Sequence, residues 1–213
     1  MEMNRQTEKK LNNLLDKSKE LFLKYGYNAI TVDRIANQAG ISKMTIYKYF
    51  NSKEDLFMEV IRKDIEYQAN EIMKAISESG SSIERIEILY NYSTNMAKNY
   101  SLVLIRDIME KKSIVDKVTE IKKNFMLPIF EFIISEGIRN EEIRELDMGF
   151  ISELLMNLPK ALLNIDFPSD EGKMIKFYGN FIDFLKFGLF GGKEGVKSAE
   201  EDIDENRKFK QGL

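Results

Sequence analysis

The stretch 41-ISKMTIYKYF-50 decides how the N-terminal part of this chain is read. Its central residues include Lys43, Thr45, Tyr47, Lys48 and Tyr49. Burying so many polar groups in a core would cost free energy, which raises the question of what this helix contacts instead. The apolar residues Ile46 and Phe50 lie four positions apart, which predicts that they form its buried side.

The residues before this stretch predict a second short helix and a tight turn. Thr31 is a suitable N-cap for a helix that runs through Gln38, and Gly40 ends it. Ser42 then caps the next helix, which continues to about Tyr49. Two short helices joined by a glycine-containing turn form a helix-turn-helix, whose second helix enters the major groove of DNA.

Two further helices frame this pair. Residues 6–25 place one mostly apolar stripe at helical spacing, before Gly26: Leu11, Leu14, Leu15, Ser18, Leu21, Phe22 and Tyr25. On the other side, Ser52 begins a fourth helix with Asp55 three residues on, as in a capping box. The N-terminal region is therefore predicted to hold three short helices followed by a longer one.

The remainder of the chain predicts longer helices over 53–78, 82–99, 101–111, 113–138, 148–164 and 170–190. No alternation typical of strands persists, so the fold class is all-α. Pro128 and Pro159 fall inside two of these helices, and each is expected to kink or break its helix. The wide apolar face of the last helix suits either a four-helix interface between two subunits or packing within one chain.

Composition excludes several classes of function. The 213 residues include no histidine and no cysteine, which removes the commonest metal ligand, general base and thiol nucleophile. We therefore expect no enzyme, no metal site and no cofactor. The polar N-terminus and the lack of an apolar run of ~20 residues favour a cytoplasmic protein with no membrane association.

Charge is distributed unevenly along the chain. Residues 1–50 hold nine Lys and Arg against five Asp and Glu, a net charge of +4, although the whole chain carries −3. A basic end on an acidic protein is typical of contact with a polyanion.

A family resemblance covers this basic end. The run LFLKYGYNAITVDRIANQAGISKMTIYKYFNSKEDLFMEVI, from Leu21 to Ile61, closely resembles the N-terminal DNA-binding domain of TetR-family transcriptional regulators. The elements that carry the likeness are an aromatic-Gly pair, T-x-x-x-I-A-x-x-A-G, S-K-x-T-x-Y-x-Y-F and S-K-E-x-L.

The resemblance implies a division of the chain. Residues 1–52 would form a three-helix helix-turn-helix DNA-binding domain, residues 53–192 a helical ligand-binding and dimerisation domain, and residues 193–213 a charged C-terminal tail. It further implies a homodimer that binds a pseudo-palindromic double-stranded DNA operator as a repressor and is released by a small-molecule effector. The alternative is a TetR-like adaptor controlled by a protein partner.

The resemblance also assigns the DNA-binding residues. They are Thr31, Ser42, Lys43, Met44, Thr45, Tyr47, Lys48, Tyr49 and Lys53. Tyr47 and Lys53 match family residues that contact the DNA backbone. Lysine can bind guanine and the threonine methyl can contact thymine, but Lys43 and Lys48 could equally serve phosphates alone.

Candidate effector-binding residues come from the middle helices, where aromatic and methionine side chains suit a largely apolar pocket. They are Tyr92, Met96, Tyr100, Phe125, Met126, Phe130 and Met156. The same residue types fill any helical core, so each of them has that alternative. The acidic balance favours a hydrophobic or cationic amphiphilic effector.

Overall fold

The computed structural model describes residues 5–151, together with residues 154, 172, 176, 179, 180 and 183. Within helical residues 91–99 it leaves out the side chains of residues 93, 94 and 96–98. Met156, Pro159, the tail 193–213 and most of the last two predicted helices lie outside the described residues.

The continuous described range holds seven helices, and its last residues, 148–151, are also helical. The seven are α1 Arg5–Tyr25, α2 Val32–Ala39, α3 Lys43–Tyr47, α4 Lys53–Ser77, α5 Ser82–Asn99, α6 Leu102–Met109 and α7 Lys112–Arg139. The part of the chain that the structure describes contains no strand. The all-α fold class is therefore confirmed.

Side-chain caps begin five of these helices. The hydroxyl oxygens of Thr31, Ser42, Ser52, Ser81 and Ser101 each accept a hydrogen bond from the backbone N–H three residues later, at 3.0–3.2 Å. Each bond satisfies an N–H that the helix itself leaves without a partner. The caps that the sequence predicted at Thr31, Ser42 and Ser52 are thus confirmed.

Several helix bounds differ from the predicted ones by one or two residues, those of α3, α6 and α7 among them. Helix α3 ends at Tyr47, because the N–H of Tyr49 bonds to the Ile46 carbonyl at 2.9 Å in a tighter three-residue turn. Helix α7 begins at Lys112 after Lys111, which makes no side-chain cap bond, so the break does not fall at Ser113.

Pro128 does not break α7. The helix continues from Lys112 to Arg139 with Pro128 on an exposed position. Proline removes one backbone donor, but the residues on both sides of it are held by packing, since Phe125 and Ile129 contact the protein core. The continuous helix excludes a break at Pro128, whereas the kink that the sequence equally predicted there stays a prediction.

The first core joins α1–α3 to the start of α4. Phe57 lies at its centre, with ring centroids 5.0 Å from Phe22 and 4.9 Å from Tyr27. Ile46 is 1% exposed and Phe50 packs on the same cluster, as the sequence predicted. Leu104 of α6 and Ile114 of α7 are also buried in this core, so it extends into the second half of the chain.

The second core lies between the far half of α4, α5 and α7. Its fully buried members include Ile72 and Ile76 of α4 and Ile129 of α7. Helix α4 thereby contributes to both cores, and Phe125 of α7 packs against both.

Among the described residues, no helix is sufficiently long and apolar to span a bilayer.

Candidate nucleic-acid interface

The turn between α2 and α3 sets the direction of α3. Gly40 adopts φ 67°, a left-handed conformation that side chains other than glycine rarely adopt. Its N–H bonds to the Asn37 carbonyl, and the next N–H, of Ile41, bonds to the Ala36 carbonyl at 3.0 Å. These bonds close the end of α2 in the manner of a Schellman motif and direct the chain into α3.

The two sides of α3 differ sharply in exposure. Ile46 is buried in the first core, while Met44 is 76% and Tyr47 is 46% exposed. Most of the predicted DNA-binding residues share this exposure: Thr31, Ser42, Lys43, Met44, Tyr47, Lys48 and Tyr49 are exposed, and Thr45 and Lys53 are half-buried. Helix α3 thus has one side buried in the first core and one side exposed on the surface. The DNA contacts themselves stay predictions.

The side chains of Lys43 and Thr45, both on α3, already have partners within the protein. The Lys43 ammonium lies 2.9 Å from the Asp33 carboxylate, and this hydrogen bond raises the pKa of Lys43. The Thr45 hydroxyl lies 2.8 Å from the Ser42 hydroxyl. Because the Lys43–Asp33 pair is exposed to water, it is weak, and Lys43 can exchange Asp33 for a phosphate or a base.

Lys53 has a structural role that sequence reasoning did not identify. Its ammonium donates to the carbonyls of Tyr27 and Ile30, at 2.9 Å each, and lies 4.1 Å from the centroid of the Tyr27 ring. Burial and the nearby Lys111 lower the pKa of Lys53. An ammonium has three donors, so one remains for the predicted contact with the DNA backbone.

Arg34 was also missed. Its guanidinium stacks 4.3 Å from the Tyr25 ring centroid, and the side chain is exposed in the first turn of α2. Stacking on an aromatic ring reduces the conformational freedom of an arginine, which favours binding to a phosphate. The sequence feature that could have identified Arg34 as a candidate is its position three residues after the Thr31 cap.

A polar contact fastens the turn after α1 to α6. Asn28 donates its backbone N–H to Asp107 Oδ2 and its side-chain amide to Oδ1, both at 2.8 Å. Gly26, at φ 84°, allows this approach, because an added Cβ would lie 2.5 Å from Asp107 Oδ2. The residues are far apart in sequence, so no local pattern indicated the contact.

A second polar contact lies at the buried carboxylate of Asp64 in α4, which is 5% exposed. It accepts from Lys19 of α1 at 2.5 Å and from Gln68 at 2.7 Å, and the Tyr100 hydroxyl also donates to it. Burial and the Asp64 charge raise the pKa of Tyr100, which keeps the phenol protonated. The interdomain seam consists of these residues and the Asn28 contact: Lys19, Gly26, Asn28, Asp64, Tyr100 and Asp107.

The predicted effector-binding residues are brought to the two cores. Tyr92, Met126 and Phe130 pack on the second core, Tyr100 packs on the first, and Phe125 packs on both. The side chain of Met96 and the whole of Met156 lie outside the described residues. An open cleft of about 400 Å³ between α4 and α5, near Ser79 and Glu84, is lined by other residues.

Comparisons with known proteins cover both parts of the chain. The family model "Bacterial regulatory proteins, tetR family" matches residues 14–60, and the model "QacR-like protein, C-terminal region" matches residues 71–190. The second match alone spans more than half of the chain.

Individual relatives agree with these models. A fatty acid metabolism regulator protein of Bacillus subtilis is 26% identical over 156 residues, covering 71% of this chain and 80% of the relative. The regulator QacR of Staphylococcus aureus is 26% identical over 188 residues, covering 83% and 98%.

A solved structure has a similar fold. It is the transcriptional regulator FadR from Bacillus subtilis in complex with stearoyl-CoA, with a TM-score of 0.64 and 22% identity over 84% of this chain and 98% of that one. Together with the helix-turn-helix geometry and the two family models, these findings show that the chain belongs to the TetR family, whose members are transcriptional regulators and not enzymes.

Proposed function

We propose that this regulator is a homodimeric repressor that binds a pseudo-palindromic operator and releases it on binding a small amphiphile with a long apolar part. The DNA-binding part of this proposal rests on the difference between the buried and the exposed side of α3. Ile46 anchors one side in the core, while Tyr47 and Lys48 are exposed on a basic N-terminal region. Exposed basic and aromatic groups on a fixed short helix suit phosphate and base contacts.

Two copies of the chain are needed for this mode of binding. Recognition helices that enter successive major grooves lie about 34–36 Å apart, one turn of DNA, which a dimer supplies. Phe150 and Leu154 are 64% and 38% exposed, and each of the two positions is helical. Their exposure supports a second copy packing against this part of the chain.

The effector class rests on the middle helices and on the fatty acid regulator of Bacillus subtilis. Aromatic and methionine side chains of α5 and α7 pack on the second core, Phe125 packs on both cores, and such side chains adapt to apolar ligands. The related FadR of Bacillus subtilis has been solved in complex with stearoyl-CoA. A long acyl chain is therefore the first apolar part to test.

The mechanism is a shift between two arrangements of the dimer. One arrangement fits the operator and the other does not. The factor by which an effector can lower operator affinity is set by how much more tightly it binds the second arrangement than the first. Helix α4 contributes to both cores and the interdomain seam joins α1 to α4 and α6, so a change near α7 can reach α3 through packed residues.

The test is binding of the purified protein to genomic fragments at a stated salt concentration, followed by footprinting and by addition of oleoyl-CoA. We expect a protected inverted repeat that is lost when oleoyl-CoA is added. Tyr47→Phe and Lys48→Ala should weaken binding, whereas Lys74→Ala, an exposed lysine at the far end of α4, should not.

Three outcomes would contradict parts of this proposal. Absence of any specific site would contradict operator binding, and protection of a single half-site would contradict the dimer. Specific binding that no acyl compound alters would contradict the effector assignment and favour the adaptor, for which a protein that competes with DNA should then be sought.

A further inference from the structure

Two lysines from distant parts of the chain meet at the ring of Tyr27. Lys53 is the first residue of α4, and its ammonium lies 4.1 Å from the ring centroid. Lys111 lies in the turn between α6 and α7, and its ammonium lies 4.5 Å from the same centroid. Both distances are within the range at which an aromatic ring attracts a cation. Because the ring is 5% exposed and packed in the first core, it holds both lysines in fixed positions.

The two ammonium groups are close to one another. They can be no further apart than the sum of their distances from the Tyr27 centroid, which is less than one Debye length, about 10 Å at 0.1 M salt. Burial and the positive charge of Lys111 lower the pKa of Lys53, as a neighbouring like charge should. Two positive charges at this separation repel each other, and an anion that binds both removes that cost.

The acidic side chains beside this lysine pair already have partners. Glu54, the residue after Lys53, forms an ion pair with Lys117 of α7 at 2.5 Å. Asp107 of α6 accepts two hydrogen bonds from the turn after α1, both at 2.8 Å. Lys53 uses two of its three donors on backbone carbonyls, and Lys111 is exposed to solvent. Both ammonium groups can therefore donate to an anion that arrives from outside.

The lysine pair continues the predicted DNA interface. Lys53 is itself a predicted contact of the DNA backbone, and it binds the carbonyls of Tyr27 and Ile30, directly before Thr31, which is another predicted contact. Double-stranded DNA carries about one negative charge for each 1.7 Å of its axis. Adjacent lysines at the margin of a DNA interface fit such a row of phosphates.

We propose that Lys111 binds a phosphate of the operator backbone beside Lys53, so that the turn between α6 and α7 contacts DNA directly. This inference rests on the proposed operator binding and extends the interface beyond the helix-turn-helix. It also gives the effector a short route to DNA. Lys111 is followed at once by α7, whose Phe125 packs on both cores, so a displacement of α7 moves Lys111 relative to the backbone.

The test compares Lys111→Ala with Lys112→Ala on the operator that footprinting identifies. Both lysines are exposed, and each variant removes one positive charge, but Lys111 is the one at the Tyr27 ring. Operator affinity is measured over a series of salt concentrations. We expect Lys111→Ala to lower affinity roughly 10-fold for each half-site, the value of one charge-assisted hydrogen bond. The slope of log affinity against log salt should fall by about one for each half-site. Lys112→Ala should leave the slope unchanged, and Lys111→Arg should keep both values.

Ethylation of single operator phosphates identifies the contact itself. A phosphate that Lys111 binds is one whose ethylation weakens the wild type but no longer weakens Lys111→Ala. We expect one such phosphate in each half-site, next to a phosphate whose ethylation still weakens the variant because Lys53 binds it. A variant that folded poorly would lose affinity for every ethylated operator alike, so this pattern separates a contact from an effect on stability.

The other outcomes contradict the proposal. An unchanged salt slope and ethylation pattern for Lys111→Ala would overturn this contact and leave operator binding by the helix-turn-helix standing. Equal losses for Lys111→Ala and Lys112→Ala would show a general effect of charge instead of a contact. Weaker binding of oleoyl-CoA with unchanged operator affinity would assign Lys111 to a phosphate of the effector. Absence of a specific wild-type site would overturn operator binding and this contact together.

Discussion

The helix-turn-helix is held by contacts between residues close in sequence, whereas the interdomain seam is held by contacts between residues far apart in sequence. In the helix-turn-helix, Thr31 and Ser42 bond to N–H groups three residues away, and Gly40 closes α2 on carbonyls of the same helix. At the seam, Asn28 bonds to Asp107, 79 residues further on. The first region has a shape set mainly by neighbouring residues, and the second depends on the whole fold.

This difference matches the tasks of the two regions. A DNA-reading helix has to present the same face whatever the state of the effector site, which local bonds ensure. A connection between effector and DNA, as proposed above, has to join distant elements. Its two carboxylates, Asp64 of α4 and Asp107 of α6, are buried and bind partners from α1 and from the turn after it. Five experiments test how far this contrast holds.

Phe57→Ala should have the largest effect, because it removes the ring at the centre of the first core. Phe57 is 0% exposed and contacts two other rings. We expect a loss of about 3–5 kcal/mol in the free energy of unfolding, measured by denaturant titration. Tyr67→Ala on the same helix, 63% exposed, is the control and should change little. A loss below about 1 kcal/mol for Phe57→Ala would contradict the assigned core.

Gly26→Ala and Gly40→Ala compare the seam with the turn directly. Both glycines have positive φ, and a left-handed alanine costs about 1–2 kcal/mol. At Gly40 an added Cβ meets no atom within 4 Å, whereas at Gly26 it meets Asp107 and Val103. Thermal unfolding should therefore show Gly26→Ala as the less stable by about 1–3 kcal/mol. Equal losses of stability in the two variants would mean that α6 can shift to accommodate the added Cβ at little cost in free energy.

A double-mutant cycle on Asn28→Ala and Asp107→Ala measures the seam itself. Asp107 is 7% exposed and receives two hydrogen bonds from Asn28, one of them from the side chain. We expect a coupling free energy of about 1–2 kcal/mol from unfolding experiments. Additive losses would show that the two residues stabilise the fold independently.

Thr31→Ala should remove the cap of α2 and lower the free energy of unfolding by about 1 kcal/mol. The matched variant Thr31→Ser keeps a hydroxyl oxygen for the Arg34 N–H and should lose less. If both variants lost the same amount, the hydroxyl could not be the stabilising group.

Lys43→Ala should have the smallest effect on folding, below about 0.5 kcal/mol, because its pair with Asp33 is exposed. Operator binding should respond more. If Lys43 exchanges Asp33 for a phosphate, the slope of log affinity against log salt should fall by about one. An unchanged slope would limit Lys43 to base contact or to its pair with Asp33.

The sequence predicted local features well because their causes are local. The caps at Thr31 and Ser52 and the buried position of Ile46 each follow from residue type and spacing within one turn. The start of α7 at Lys112 lies one residue before the predicted start and has no side-chain cap to recognise. The break that Pro128 could have caused does not occur, because packing on both sides of it holds α7 together.

The candidate site was predictable only in part, for the same reason. Exposure of Tyr47 follows from its position next to Ile46 on a short helix, because consecutive residues lie about 100° apart around the helix axis. The two carbonyls bound by Lys53, and the Tyr100 hydrogen bond to Asp64, join residues that no motif relates. Such long-range polar pairs require coordinates.

Helix α4 has a consequence for how the molecule unfolds. It runs unbroken from Lys53 to Ser77, with Phe57 buried in the first core and Ile76 in the second. Neither core can dissolve without exposing buried residues of the same helix. The two halves of the described chain are thus joined into one cooperative unit, in which the DNA-binding helices gain protection against local opening from the packing around α5 and α7.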